Sequence, residues 1–142
     1  MKRKTIDILR ELVRPFSLHV VLLVRDLRDC HQSILATQFL RSGTSIGANL
    51  AEGRYAQTHG DAITKYSIAQ KEAAESLYWI ELFMDMRLIR PDKPYGKIYR
   101  ECNKILELLA MLLKSERRAQ VREKEQRQTQ RSAEADEECL SD

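Results

Sequence analysis

Turn-forming residues are scarce: the 142-residue chain has three prolines and five glycines. Aromatic residues make up only 6% of it, against 32% charged. That balance disfavours a β-sandwich, which needs many turns and a bulky alternating core, and favours long solvated helices. No apolar run approaches the roughly 20 residues that span a bilayer. Met1-Lys2-Arg3-Lys4 is basic, but no uninterrupted apolar stretch or small-residue cleavage site follows, so a secretory signal is not expected. Cys30, Cys102 and Cys139 are odd in number, far apart and without a CxxC pair. They read as reduced thiols of a cytoplasmic protein rather than a disulfide framework.

Catalytic signatures are missing too. There is no G-x-S-x-G elbow, no P-loop and no G-x-G-x-x-G. Gly43-Thr44-Ser45-Ile46-Gly47 superficially resembles a phosphate loop but lacks the Lys-Ser/Thr ending, and no strand precedes it. A di-iron bundle site needs Glu-x-x-His pairs. The residues three before His19, His31 and His59 are Phe16, Arg28 and Ala56, so the motif is absent. No enzyme activity, metal or cofactor is expected.

What is present is helical periodicity in four segments. Segment 15–28 opens on Pro15, which suits a first helical turn because its missing N–H would be unpaired there anyway. Phe16, Val20, Leu23 and Leu27 share one face, widened by Val13, Val24 and His31. His19 belongs on or beside that face. Residues 1–13 form a separate amphipathic extension. Segment 33–52 has Ser33 as its N-cap and two adjoining stripes. Leu35, Phe39, Ser42, Ile46, Asn49 and Gly53 form one, and Ala36, Leu40, Gly43, Gly47 and Leu50 the other. Ser42, Gly43, Thr44, Ser45 and Gly47 oppose a helix by propensity, each glycine by about 1 kcal/mol. Gly43-x-x-x-Gly47 supplies a compensation, since a face without side chains lets another helix approach closely, by analogy with membrane bundles. Segment 61–86 has Asp61 as its N-cap and a stripe of Ile63, Tyr66, Gln70, Ala73, Leu77, Ile80 and Met84. Arg90-Pro91-Asp92-Lys93-Pro94 is a loop. A fourth segment begins near Tyr95, with Ile98, Cys102, Ile105, Leu109 and Leu112 as its stripe. The expected architecture is an all-α, up-down-up-down antiparallel four-helix bundle over residues 14–114.

Residues 115–142 form a charged tail, expected to be helical at first and disordered over 132–142. Residues 114–131 hold seven basic and three acidic side chains, whereas 132–142 hold five acidic and no basic ones. Lys114, Arg117, Arg118, Arg122, Lys124, Arg127 and Arg131 are the candidate nucleic-acid surface, since phosphate binding needs only cations at helical spacing. No aromatic residue interleaves them, which argues against base stacking or sequence readout. Glu116, Glu123 and Glu125 dilute the field. The acidic terminus is a candidate competitor for the same arginines.

A second polar group lies inside the bundle segment. Arg41, Ser45, Asn49 and Glu52 share one face of the second helix, and Lys65, Glu72 and Glu75 of the third can meet them. One reading is a charged anion pocket. The favoured one is a polar network that fixes helix register or forms a subunit interface.

The run Gln38-Phe39-Leu40-Arg41-Ser42-Gly43-Thr44-Ser45-Ile46-Gly47-Ala48-Asn49-Leu50-Ala51-Glu52 resembles a signature of the bacterial four-helix bundle family associated with intervening sequences in 23S ribosomal RNA genes. Lys71-Glu72-Ala73-Ala74-Glu75-Ser76-Leu77-Tyr78-Trp79 and Cys102-Asn103-Lys104-Ile105-Leu106 resemble its third- and fourth-helix patterns. The likeness covers roughly residues 14–114. It departs at Ala51-Glu52-Gly53, where relatives often read Glu-Glu-Ala, and Gly53 is expected to end the second helix early. The resemblance implies a left-handed bundle assembling as a ring-like homopentamer. A distant relative is the accessory protein of diversity-generating retroelements, which binds nucleic acid and a reverse transcriptase. The expectation is therefore a non-enzymatic oligomeric accessory or scaffold protein with sequence-independent RNA or DNA binding. The alternative is an oligomeric protein–protein adaptor with no nucleic-acid role. Membrane association is not expected.

Overall fold

The computed structural model describes residues 2–140 and shows four helices. These are α1 (Lys2–Asp29), α2 (Ser33–Arg54), α3 (His59–Asp85) and α4 (Ile98–Leu140). Each packs on its sequence neighbours, and α1 closes onto α4. Cross-helix pairs fix the directions. Phe39 meets Phe83 while Arg41 meets Glu72 and Glu75, so α2 and α3 run antiparallel. Tyr95 reaches Asp26 and Glu101 reaches His19, so α1 and α4 do as well. The antiparallel four-helix arrangement is as expected from the pattern. No helix among the described residues is long and apolar enough to cross a membrane.

The core follows a 3-4 repeat on three helices. On α1 it comprises Leu9, Val13, Phe16, Val20, Leu23 and Leu27, and on α4 Ile98, Cys102, Ile105, Leu109 and Leu112. The α1 stripe explains a first correction. No break occurs at Pro15, and the expected extension 1–13 is the first half of one 28-residue helix. Proline inside a helix costs about 3 kcal/mol. Burial of Leu9 and Val13 in register with Phe16 outweighs it. His31 is off the packing face, exposed in the α1–α2 turn at φ 61°.

On α3 the buried stripe is Ala62, Tyr66, Ala69, Ala73, Ser76, Ile80 and Phe83. Ile63, Gln70 and Leu77 only flank it, and Met84 is exposed. Small residues take the core positions because α2 comes close: Ser42 and Ser76, both buried, share a 2.9 Å hydrogen bond across the two helices. Capping also differs. Thr58, not Asp61, is the N-cap of α3, its hydroxyl accepting from the Asp61 N–H at 3.1 Å. Gln32, not Ser33, precedes α2 and makes no side-chain cap. Gly53 does not end α2 early, because the helix runs on to Arg54 with Gly53 buried against the Tyr66 ring.

The glycine pair does what its spacing suggested. A Cβ at Gly43 would stand 2.8 Å from both methyls of Val20, and one at Gly47 would stand 3.0 Å from Val13. The α1 backbone approaches α2 over this bare face. Tyr95 precedes α4 rather than opening it; it is buried, and its hydroxyl donates to Asp26 at 2.7 Å. That bond holds the Asp26 carboxyl below its ordinary range, while burial raises the Tyr95 phenol.

Helix α4 has 43 residues, about 64 Å at 1.5 Å per residue, and runs well past the bundle. Residues 132–140, expected to be disordered, continue it; residues 141–142 lie outside the described residues. Ala, Glu, Gln and Arg dominate the extension and are good helix formers. The packed part of α4 supplies the nucleus that an isolated helix must form for itself.

Candidate polyanion surface and the polar end of the bundle

Two turns after Ile105 and Leu109, the core stripe of α4 meets a carboxylate. Glu116 occupies the next core position and is 1% exposed. Its Oε2 lies 2.8 Å from Nδ1 of His59, the first residue of α3. With the proton on Nδ1, the imidazole donates to this buried acid. The other ring nitrogen lies 3.6 Å from Glu123, which also pairs with Arg127. Glu116 and Glu123 thus turn toward the bundle end. They do not dilute the charge on the opposite side of α4, whereas Glu125, exposed beside Arg122, does.

That opposite side carries Lys114, Arg117, Arg118 and Arg122, grouped around Val121 and all exposed. None of the four is ion-paired among the described residues. The predicted basic set is therefore split. Lys124 and Arg127 face a cavity at the bundle end instead. Arg131 is exposed further along the helix. In the continuous helix Glu134 stands about 18 Å beyond Arg122 along the axis, away from the Lys114–Arg122 group and close to Arg131.

The bundle-end cavity has a volume of about 860 Å³ and lies between the start of α1, the α2–α3 connection and α4. Arg3 and Arg10 of α1 and Arg54 of α2 line it with Lys124 and Arg127. Pattern reading missed this site. The 3-4 repeat, extended past Leu112, lands on Glu116 and would have flagged it.

The other predicted polar group resolves into two separate links between α2 and α3. Arg41 contacts Glu72 at 3.2 Å and Glu75 at 2.6 Å, and Lys65 contacts Glu52 at 2.6 Å. Ser45 and Asn49 join neither link. The Ser45 hydroxyl donates to the Arg41 carbonyl at 2.6 Å, and the Asn49 amide donates to the Ser45 carbonyl at 2.9 Å. Arg41 holds the Glu75 carboxyl below its ordinary value of 4.5, helped by the Trp79 indole N–H. A carboxylate with a lowered folded-state pKa stabilises above its unfolded value, and the gain disappears as pH falls through the folded value. Glu75→Gln is therefore expected to cost about 0.5 kcal/mol at pH 7, a small figure because the pair is solvent-screened. The difference from wild type should shrink as pH falls from 4.5 through the lowered folded-state value. Thermal melts across pH 3–7 check this, and a gap that persists in acid would contradict it.

His19 is half-buried against Glu101 at 2.9 Å. Cys102 is buried, which pushes its thiol up to about 12 and leaves it inert. No group of three metal-ligating side chains occurs among the described residues.

These features define an all-α bundle protein whose distinctive chemistry is cationic surface and one buried acid–imidazole pair. Over residues 8–111 the chain matches the model of the 23S rRNA-intervening sequence proteins, and it belongs to that family. It is also similar to a solved protein of unknown function from the S23 ribosomal protein family of Bacteroides thetaiotaomicron. The two are 34% identical with a TM-score of 0.71, over 78% of this chain and 98% of that one. The chain matches no curated protein. The family match stops at residue 111, so the outer basic face of α4 and the buried Glu116 lie beyond it.

Proposed function

We propose that the protein is a non-enzymatic, cytoplasmic, homo-oligomeric accessory or scaffold protein that binds RNA or DNA without sequence preference through the outer face of α4. The observation that carries this reading is that Lys114, Arg117, Arg118 and Arg122 are exposed and not ion-paired among the described residues, with Glu125 the acid beside them and Glu116 and Glu123 turned toward the bundle end. Cations without carboxylate partners exchange counterions for phosphates at no cost in broken ion pairs. The absence of an aromatic residue over 114–131 fits backbone contact rather than base readout. In the ring-like homopentamer that the family resemblance implies, five copies of the stripe raise the effective concentration of each contact.

A protein–protein adaptor is the second reading. It rests on Leu18 and Val21, exposed on α1 at 60% and 50%.

Fluorescence anisotropy of a labelled single-stranded RNA separates the two. At about 50 mM salt, replacing Lys114, Arg117, Arg118 and Arg122 together by Gln is expected to weaken binding about a hundredfold. Helicity and assembly mass should not change, since all four side chains are exposed. Binding within twofold of wild type would favour the adaptor.

A further inference from the structure

The cavity at the bundle end lies on the other side of α4 from the proposed nucleic-acid face and is independent of it. We propose that this cavity binds a small phosphate-bearing anion of nucleotide size.

Charge is the first argument. Arg3, Arg10, Arg54 and Lys124 come from three helices, line one cavity, and are not ion-paired among the described residues. The acids that share the space are mostly engaged. Glu116 is held by His59, and Glu123 by Arg127. Asp7 makes no ion pair among the described residues. Five basic side chains against three carboxylates leave the lining at +2 with His59 neutral. Like charges gathered around a concave space repel one another, and a multivalent anion removes that repulsion.

Shape is the second argument. About 860 Å³ falls in the range of small-molecule sites and is too small for a folded partner. Arginine forks match phosphate oxygens two at a time, which favours phosphate over a single carboxylate. His59 and Gly60 begin α3 at the cavity wall, and N–H groups in a first helical turn have no intrahelical acceptor. They add donors for the same anion. Ile6, Ala56 and Ala62 supply an apolar wall beside the cations, against which a nucleoside can lie.

His59 and Glu116 give the site a fixed floor. A buried acid held by an imidazole keeps α3 and α4 in register where the cations converge. Glu116 is a positioning residue in this account and does not touch the ligand.

Titration calorimetry on the full chain tests the inference with three probes: sodium pyrophosphate, ADP and citrate. The expected result is saturable binding of pyrophosphate and ADP at one site per chain, with citrate at least tenfold weaker. Tighter binding of ADP than of pyrophosphate identifies a nucleotide as the occupant. Equal binding identifies the phosphate group alone, and both support the site. Arg54→Gln combined with Lys124→Gln, both exposed side chains, should weaken ADP about a hundredfold. Arg118→Gln with Arg122→Gln, on the outer face, should leave it within twofold. Circular dichroism of both variants should match wild type. The proposal is overturned if neither phosphate probe saturates, if citrate binds as well as ADP, if the cavity variant binds normally, or if the outer-face variant loses binding equally.

Discussion

Gly43→Leu is expected to destabilise the bundle by at least about 3 kcal/mol, seen as a lower urea midpoint. A single added Cβ already meets both Val20 methyls at 2.8 Å. Val20 is completely buried and β-branched, so one χ1 rotamer dominates in its helix and it has nowhere to turn. Overpacking by a methylene or two costs about 1–3 kcal/mol, and leucine adds four carbons. The gain in helix propensity on losing glycine is about 1 kcal/mol and does not offset this. The milder Gly43→Ala should recover stability when Val20→Ala is added, because the second change empties the space the first one fills. Strictly additive losses would show that the two residues do not meet.

Phe83→Ala is expected to cost about 3–5 kcal/mol, and to lower the melting temperature by about 10 °C. The ring is fully buried and stands edge-on to Phe39, with centroids 5.5 Å apart and planes at 83°. It closes the end of the bundle where α2 begins and α3 finishes. Ile80 and Ala36, each buried one helical turn from one of the two rings, are on stiff helices, so the space left behind collapses only in part. Thermal unfolding gives the value, and a loss below about 1 kcal/mol would mean that this end is loosely packed. A double-mutant cycle with Phe39→Ala should show coupling of about 0.5–1.5 kcal/mol for the ring pair.

Much of this architecture can be read from residue spacing, because large apolar side chains mark the faces of α1 and α4. Phe16, Val20, Leu23 and Leu27 state one face without ambiguity, as do Ile98, Cys102, Ile105 and Leu109. The α3 face was harder. Four of its seven core positions are the small Ala62, Ala69, Ala73 and Ser76, while the bulkier Ile63 and Leu77 lie at the margin. Size misleads where two helices pack closely, since the closest approach selects the smallest residues. Pro15 misled in the opposite direction. A local cost was visible in the sequence, whereas the burial of Leu9 and Val13 that overrides it belongs to tertiary structure.

The polar end of the bundle was legible only in part. Composition groups Lys124 and Arg127 with Arg118 and Arg122 as one basic set, because it does not distinguish the two sides of a helix. The split follows from the position of Glu116. Its place in the 3-4 repeat of α4 turns one side of the extension toward His59 and leaves the other in solvent. The continuity of α4 through residue 140 was hidden by a composition that suits both disordered tails and solvated helices. What distinguishes them is the packed helix already present at Leu112 and Leu113.

The most direct test of the account is the salt dependence of RNA binding by the full chain. Each phosphate contact on a single strand contributes about 0.7 to the slope of log affinity against log salt concentration. Anisotropy titrations between about 50 and 200 mM salt are expected to give a steep slope for wild type. For the variant with Gln at Lys114, Arg117, Arg118 and Arg122, the slope should be shallower by about 3. Parallel slopes for the two proteins, or a flat one for wild type, would contradict a phosphate-binding role for the outer face of α4.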